Sequence, residues 1–166
     1  DLTLGKEKWE AGWAIAQDVH DMAAPMMNRA MELAAEDSDA FDRVMEGYAM
    51  PKISDEEKDV RREAIRTATL TAAEVPFETA QLALGLLEAL PQLARDGNAN
   101  AVTDVGVAGL LASAAAKGAL FNVDINLAGL PDDMAASLKT QSQIVGERTR
   151  IASRAVMDEV RARMTG

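Results

Sequence analysis

The side chains that this sequence offers for chemistry are carboxylates, carboxamides, lysines and serines. Its 166 residues include no cysteine and a single histidine, His20, so one chain cannot assemble a cysteine nucleophile, a histidine-based triad or a multi-histidine metal site. We expect His20 to be structural or exposed. The remaining groups suit the attack of water on an already cationic carbon. In such a reaction a carboxylate attracts the cation and acts as general base, while amides orient the ligand.

Polar residues bracket one long apolar segment. Asn98 and Asp104 come before it, and Asn122 and Asn126 follow it. Asp104 and Asn122 are 18 residues apart, which is five helical turns, so both lie on one stripe of the predicted helix. The helical rise separates them by about 27 Å. One reacting centre cannot contact both residues, so they serve distant parts of the structure, or one protomer supplies the first and its partner the second.

The composition favours a single helical domain. Apolar residues make up 48% of the chain and aromatic residues 4%, while Ala, Leu and Met are plentiful, which suits a helical core of small and flexible side chains. The net charge of −10 argues against a nucleic-acid partner, because phosphate binding needs a basic face. It would also repel an anionic membrane surface. The lack of cysteine is compatible with a reducing cytoplasm.

Residues 105–123 approach the length that spans a bilayer. Their Ala, Gly and Ser residues are weakly apolar, however, and Lys117 lies among them, so we expect no membrane insertion. A buried helix at the centre of the bundle fits the segment better. Its small residues would let neighbouring helices approach closely, either inside one bundle or across a dimer.

Helical periodicity dominates the chain, without a convincing strand pattern or internal repeat. Ser54 and Glu57 form a capping box, and Gly97 is expected to end a helix in the left-handed conformation. Pro25 and Pro91 are expected to kink or disturb the helices that contain them. The predicted helices cover residues 6–36, 39–50, 54–75, 76–96, 101–123 and the chain from 131 onward. The predicted fold class is all-α, an antiparallel bundle of five or six helices.

Four blocks carry a more specific pattern. Residues 97–127, GNANAVTDVGVAGLLASAAAKGALFNVDINL, resemble the pattern GN-x-N-x-[ST]D-x-GVA…A…GA…NV-x-[IV]N. In the other three blocks, the segment DLTLGKEKWE resembles the pattern LTxGKxKY, DSDAFDRVMEGYAMPK resembles D-x-AF…PK, and AAEVPF resembles A-x-x-VP. In this order the blocks resemble the cyclodeaminase/cyclohydrolase family, which includes stand-alone methenyltetrahydrofolate cyclohydrolases and the C-terminal half of formiminotransferase-cyclodeaminase. The resemblance spans nearly the whole chain.

The resemblance implies an all-helical, homodimeric enzyme that takes a tetrahydrofolate derivative as substrate. We expect this enzyme to be cytoplasmic and to use no cofactor or metal. The family hydrolyses 5,10-methenyltetrahydrofolate to the 10-formyl form, or makes the methenyl form from 5-formiminotetrahydrofolate with release of ammonia. We expect the first activity, with the second as the alternative. Family members carry a glycine-rich segment before the LTxGK block, and we expect residues 1–166 to form a single domain without that segment.

The resemblance also suggests site residues. Asp39 matches an acidic family position and is expected to activate water or stabilise the cation, although pattern alone makes it solvated. Asp104 matches the [ST]D position, where a carboxylate could pair with the donor edge of a pterin or cap the helix entered at Thr103.

The expected binding residues are three lysines and three asparagines. The lysines would meet the glutamate tail of the folate or stay solvated. The asparagines would bind ligand or hold loop backbone, and turn formation is the stronger interpretation for the asparagine beside Gly97. These residues are Lys6, Lys8, Lys52, Asn98, Asn122 and Asn126.

A different class of function is a non-catalytic helical dimerisation module that keeps only the scaffold. Such a module would be expected to lose the carboxylates and lysines of the site. Asp39, Asp104, Lys6 and Lys52 are all present, which favours an enzyme.

Overall fold

The computed structural model describes residues 2–165, which form four α-helices and no β-strand. The all-α class is therefore confirmed, but the described residues contain four α-helices instead of the expected five or six. Two short 3-10 turns, Glu7–Gly12 and Ala99–Ala101, precede the first and third helices. The helices are α1 (Trp13–Ala49), α2 (Asp55–Asp96), α3 (Val102–Leu127) and α4 (Asp132–Thr165).

The number differs because two predicted boundaries are absent. Residues 36–39 contain no Gly or Pro, so α1 continues through them. Pro76 lies inside α2, where proline removes the amide that would bond to the carbonyl four residues earlier, on Ala72. The side-chain amide of Asn126 donates to that carbonyl at 2.7 Å. A hydrogen bond from α3 thus replaces the missing backbone bond, and α2 remains continuous.

Helix α2 is the central element, because α1, α3 and α4 all pack against it. Gly12 lies against Asp96, and Gly47 lies against Ile65, so α1 and α2 run antiparallel. The hairpin order continues through α3 and α4. The prediction that residues 101–123 form the central helix is wrong within one chain, since one face of α3 is packed and its other face is exposed.

Small residues bring α3 close to α4, as expected. A Cβ on Gly109 would lie 2.7 Å from Val156, and one on Gly106 would lie 3.3 Å from Val160. These contacts fix α3 against α4 in an antiparallel pair. They leave the opposite side of α3 free to face α1.

The helix ends follow the sequence signals, with one exception. Ser54 and Glu57 form the predicted capping box, and α4 begins at Asp132 directly after Pro131. Gly97, however, has φ −76° and ψ −170°, which is extended and not left-handed. Its lack of a side chain serves close packing instead, because a Cβ there would lie 2.5 Å from the Leu93 carbonyl oxygen.

By length and composition, residues Ala99–Leu127 could cross a membrane. This segment packs against α2 and α4 through one face. Its exposed positions include Asp104, Lys117 and Asp124, and charged side chains are costly inside a bilayer. A helix of a protein core fits these observations better.

Candidate functional site

A groove runs between α1 and α3, with α2 as its floor. The two helices run parallel, since each is antiparallel to α2, and they hardly contact each other. Four cavities of about 340, 450, 350 and 270 Å³ follow one another along this gap. Neighbouring cavities share lining residues, so they form one continuous groove. We call it the α1–α3 groove.

The middle of the α1–α3 groove is apolar. Its cavity of about 450 Å³ is lined almost entirely by methionine, leucine and alanine side chains, among them Met26, Met27, Leu82 and Leu111. Thr79 is the one polar residue there, and its hydroxyl donates to the Val75 carbonyl within α2. This stretch can bind flat or aromatic parts of a ligand but offers them few hydrogen bonds.

One end of the groove contains His20 of α1, Asp104 of α3 and Asn98. Asp104 lies in the first turn of α3, where the positive end of the helix dipole favours a carboxylate. The N-cap residue of α3 is Ala101, which provides no side-chain cap, so Asp104 is not the cap and faces the groove. His20, expected to be structural or exposed, is exposed and lines this end.

Asn98 holds backbone at this end. Its side-chain oxygen accepts from the Asn100 amide at 2.9 Å, and its side-chain nitrogen donates to the Leu2 carbonyl at 2.6 Å. The Asn98 backbone amide also donates to the Thr3 hydroxyl. Both halves of the carboxamide are therefore engaged, in agreement with the turn-forming interpretation.

The other end of the groove contains Asp37 of α1 and Asn122 of α3. Both residues line two adjoining cavities, of about 350 and 270 Å³. Asn126 lines the second of these cavities, but its nitrogen is occupied by the Ala72 carbonyl. Asp104 and Asn122 thus mark opposite ends of one groove, which agrees with their calculated separation along α3.

Asp39 is placed elsewhere. It is exposed on α1, and two residues along a helix turn a side chain by about 200°. Asp39 therefore lies on the side of α1 that faces away from Asp37 and from the α1–α3 groove. Sequence reasoning missed Asp37, although Ala30, Leu33 and Phe41 occur at helical spacing with it.

The three lysines lie at opposite ends of the molecule. Lys6 and Lys8 precede α1, and Lys52 follows it in the turn to α2. The 37 residues of α1 span about 55 Å, so the described chain does not bring these lysines together. The ammonium group of Lys8 lies 4.8 Å from the centre of the Trp9 ring, and Lys6 is exposed.

An ion-pair network joins α1 and α2 outside the groove. Arg29 makes two hydrogen bonds to Glu78, of 2.6 and 2.9 Å, and two to Glu36, of 2.6 and 3.1 Å. The hydrogen bonds from Arg29 lower the pKa of Glu78 below its ordinary value, and those from Glu78 and Glu36 raise the pKa of Arg29. Glu36 is therefore paired with an arginine, whereas its neighbour Asp37 faces the groove.

Within residues 2–165, no three His, Asp or Glu side chains converge as a set that could hold a metal ion. The chemistry visible in the groove is that of Asp104 and His20 at one end and Asp37 with Asn122 at the other. Carboxylates placed at the ends of an apolar channel can attract a cationic ligand and accept a proton from water.

Comparisons with known proteins identify similar chains. The family model described as formiminotransferase-cyclodeaminase matches residues 1–144. Methenyltetrahydrofolate cyclohydrolase of Methylorubrum extorquens is 35% identical over 132 residues, which cover 80% of this chain and 64% of that protein. Formimidoyltransferase-cyclodeaminase of Gallus gallus is 33% identical over 132 residues, which cover 80% of this chain and 24% of that protein. The chain thus spans less than two thirds of either relative.

A solved structure has the same fold. Formiminotetrahydrofolate cyclodeaminase of Thermotoga maritima superposes with a TM-score of 0.82, over 96% of this chain and 76% of that one. The two sequences are 23% identical. The four-helix arrangement is therefore shared despite low sequence identity.

Proposed function

Because this chain belongs to the formiminotransferase-cyclodeaminase family, we propose that it hydrolyses 5,10-methenyltetrahydrofolate to 10-formyltetrahydrofolate. The observation that carries the proposal is the α1–α3 groove, an apolar channel with carboxylates at both ends. The substrate carries ring systems that suit the apolar middle and a cationic carbon that a carboxylate stabilises. The named activity of the Methylorubrum extorquens relative is the same reaction.

The proposed reaction needs only water and a carboxylate. The water oxygen attacks the carbon that joins N5 and N10, and the carboxylate accepts one water proton. The C–N5 bond then breaks, N5 takes up the proton from the carboxylate, and loss of the hydroxyl proton leaves a formyl group on N10. Substrate cation and water thus give the formyl product and one proton. The resemblance predicted Asp39 or Asp104 as this carboxylate, but of these two residues Asp104 is the one that lines the α1–α3 groove.

In the same proposal, Asp104 binds the donor edge of the pterin. Its place at the end of the groove, with an apolar stretch beside it, supports this role. Asn122 lies about 27 Å away along α3, so it would contact a different part of the ligand or of a second ligand. A joint contribution of Lys6, Lys8 and Lys52 to one tail would need a partner subunit, because these lysines lie at opposite ends of the molecule.

The second candidate is formiminotetrahydrofolate cyclodeaminase. The names of the Gallus gallus relative and the Thermotoga maritima structure favour it. In that reaction N10 attacks the formimino carbon and ammonia leaves, so the same amidinium-type carbon lies in the site. The groove suits both reactions, and an assay must choose between them.

We further propose that the active form is a cytoplasmic homodimer joined through α3. The outward face of α3 carries an apolar stripe with alternating steps of four and three residues, the spacing of a helix–helix seam. Phe121 and Ile125 on this stripe are 72% and 71% exposed. The stripe consists of Val107, Leu111, Ala114, Gly118, Phe121 and Ile125. Four of these residues, Leu111, Ala114, Gly118 and Ile125, also line the α1–α3 groove, so a partner that packs on the stripe would also border the groove.

A spectroscopic assay tests the activity. The protein is incubated with 5,10-methenyltetrahydrofolate and, separately, with 5-formiminotetrahydrofolate, while the methenyl absorption band and free ammonia are followed. Faster loss of the band than in buffer supports the cyclohydrolase. Growth of the band with ammonia release supports the cyclodeaminase. No change with either folate would reject both enzymes and leave the non-catalytic dimerisation module.

A further inference from the structure

We infer that Asp37 is the carboxylate that acts on the cationic carbon in the α1–α3 groove, with Asn122 orienting the ligand opposite it. This inference rests on the proposed function and names a catalytic residue for it. N5 belongs to the pterin itself, so a ligand whose reacting carbon meets Asp37 has its pterin at this end. A pterin contact at Asp104, about 27 Å from Asn122 along α3, then belongs to a second ligand. Asp37 and Asn122 come from two helices that scarcely touch, yet both line the same two adjoining cavities. They therefore face a common space at the junction of those cavities.

The charge around Asp37 supports the assignment. Apart from Asp37, the described lining residues of the cavities at this end are apolar residues, threonines and asparagines, and none of them is Lys, Arg or His. No ion pair joins Asp37 to a cation within residues 2–165, whereas neighbouring Glu36 is bound by Arg29. An unpaired carboxylate beside apolar surface attracts a cationic ligand more strongly than one that is already paired with an arginine.

The polar groups nearby leave Asp37 free for proton transfer. Thr79 and Thr69 donate their hydroxyls to carbonyls of their own helix, and the nitrogen of Asn126 is held by Ala72. Asn122 is thus the residue of this end whose carboxamide is available to a ligand. It can hold the substrate while the Asp37 carboxylate accepts a proton from the attacking water and returns it to N5.

Asp39 offers a matched control. It is an aspartate two residues from Asp37 on the same helix, is exposed like Asp37, and has no ion pair among the described residues. The two differ in direction, since Asp39 faces away from the groove. Asp37→Asn and Asp39→Asn therefore remove the same charge from the same segment on two different sides of α1.

The test compares kcat and KM of both variants on 5,10-methenyltetrahydrofolate, after their thermal unfolding has been checked against the unsubstituted chain. Asp37→Asn is expected to lower kcat by about 100-fold or more, the effect of removing a general base, and Asp39→Asn is expected to change it less than about twofold. Asn122→Ala should raise KM more than it lowers kcat. A near-normal rate for Asp37→Asn, or a large loss for Asp39→Asn alone, would overturn the inference.

A binding measurement distinguishes a wrong assignment of Asp37 from a wrong proposed function. If the unsubstituted chain turns over neither folate, the proposed activity is wrong, and calorimetric titration with 5,10-methenyltetrahydrofolate still examines the site. Weaker binding to Asp37→Asn than to Asp39→Asn would support Asp37 as the group that meets the cation. Equal affinities, or no binding to any form, would reject it.

Discussion

Glu78 of α2 and Arg29 of α1 connect the two longest helices through a two-point hydrogen-bonded ion pair. The pKa of Glu78 is lowered, chiefly by the Arg29 hydrogen bonds. A carboxylate with a lowered pKa in the folded state stabilises the fold above its unfolded pKa, and this contribution is lost as the pH falls through the folded pKa. The helix α1–α2 contact is therefore weakened by acid.

We expect Glu78→Gln to lower the free energy of unfolding near neutral pH by less than about 1 kcal/mol, since Glu78 is 43% exposed and solvent screens the pair. The difference from the unsubstituted chain should shrink toward zero as the pH falls below the ordinary carboxyl pKa of 4.5 and through the lowered pKa of Glu78. Urea unfolding at a series of pH values measures it. Glu74→Gln, one turn earlier on α2 and exposed, is the control and should follow the unsubstituted chain. A pH-independent difference for Glu78→Gln would contradict this account.

At the residue scale, the sequence alone pointed to Asp104 and Asn122 of the groove but not to Asp37. Asp104 and Asn122 belong to one helix, so their spacing alone placed them on one stripe. The choice between Asp37 and Asp39 depends on which face of α1 packs against α2, and this is a property of tertiary contacts. A turn of about 200° separates these two aspartates, so no local pattern in the acidic segment distinguishes them without the packing partner.

At the scale of elements, a proline accounts for one of the two helix boundaries that were predicted but are absent. Pro76 was expected to begin or kink a helix, and it lies inside a continuous one. The compensating donor, Asn126, is 50 residues later in the sequence and belongs to a different helix. Periodicity correctly predicted that these regions are helical, but it did not predict that α2 is continuous, because such a long-range hydrogen bond has no local signal.

The link between Pro76 and Asn126 can be tested with a double-mutant cycle. We expect Asn126→Ala to destabilise the chain by about 1–3 kcal/mol, because it leaves the buried Ala72 carbonyl without its donor. Pro76→Ala restores a backbone amide that can bond to Ala72, so Asn126→Ala should cost less in that background. The free energies of unfolding of the four forms give the coupling. Equal costs of Asn126→Ala in both backgrounds would show that the two residues act independently.

For the whole molecule, α3 has two apolar faces and a single chain covers only one of them. Buried residues such as Ala116 and Val123 face α2 and α4, while the opposite stripe from Val107 to Ile125 is exposed. A contiguous apolar stripe of this kind is typical of a protein–protein contact. The sequence indicated the close packing of α3, but its position at the edge of the chain followed only from the tertiary arrangement.

An isologous dimer through α3 would place the same stripe of both chains against each other around a two-fold axis. We expect the unsubstituted chain to sediment as a dimer and Phe121→Asp to sediment as a monomer, because the buried seam would then contain two unpaired carboxylates. Ile151→Asp is the control, since Ile151 is an exposed apolar residue of α4, 55% accessible, and lies outside the stripe. It should leave the dimer intact. A monomeric unsubstituted chain would reject the dimer. Dimers that survive Phe121→Asp and dissociate with Ile151→Asp would assign the interface elsewhere.

If dimerisation also supplies Lys52 to a partner's groove, mixing Lys52→Ala with Asp37→Asn chains should restore activity in part, because each mixed dimer keeps one groove with both residues intact.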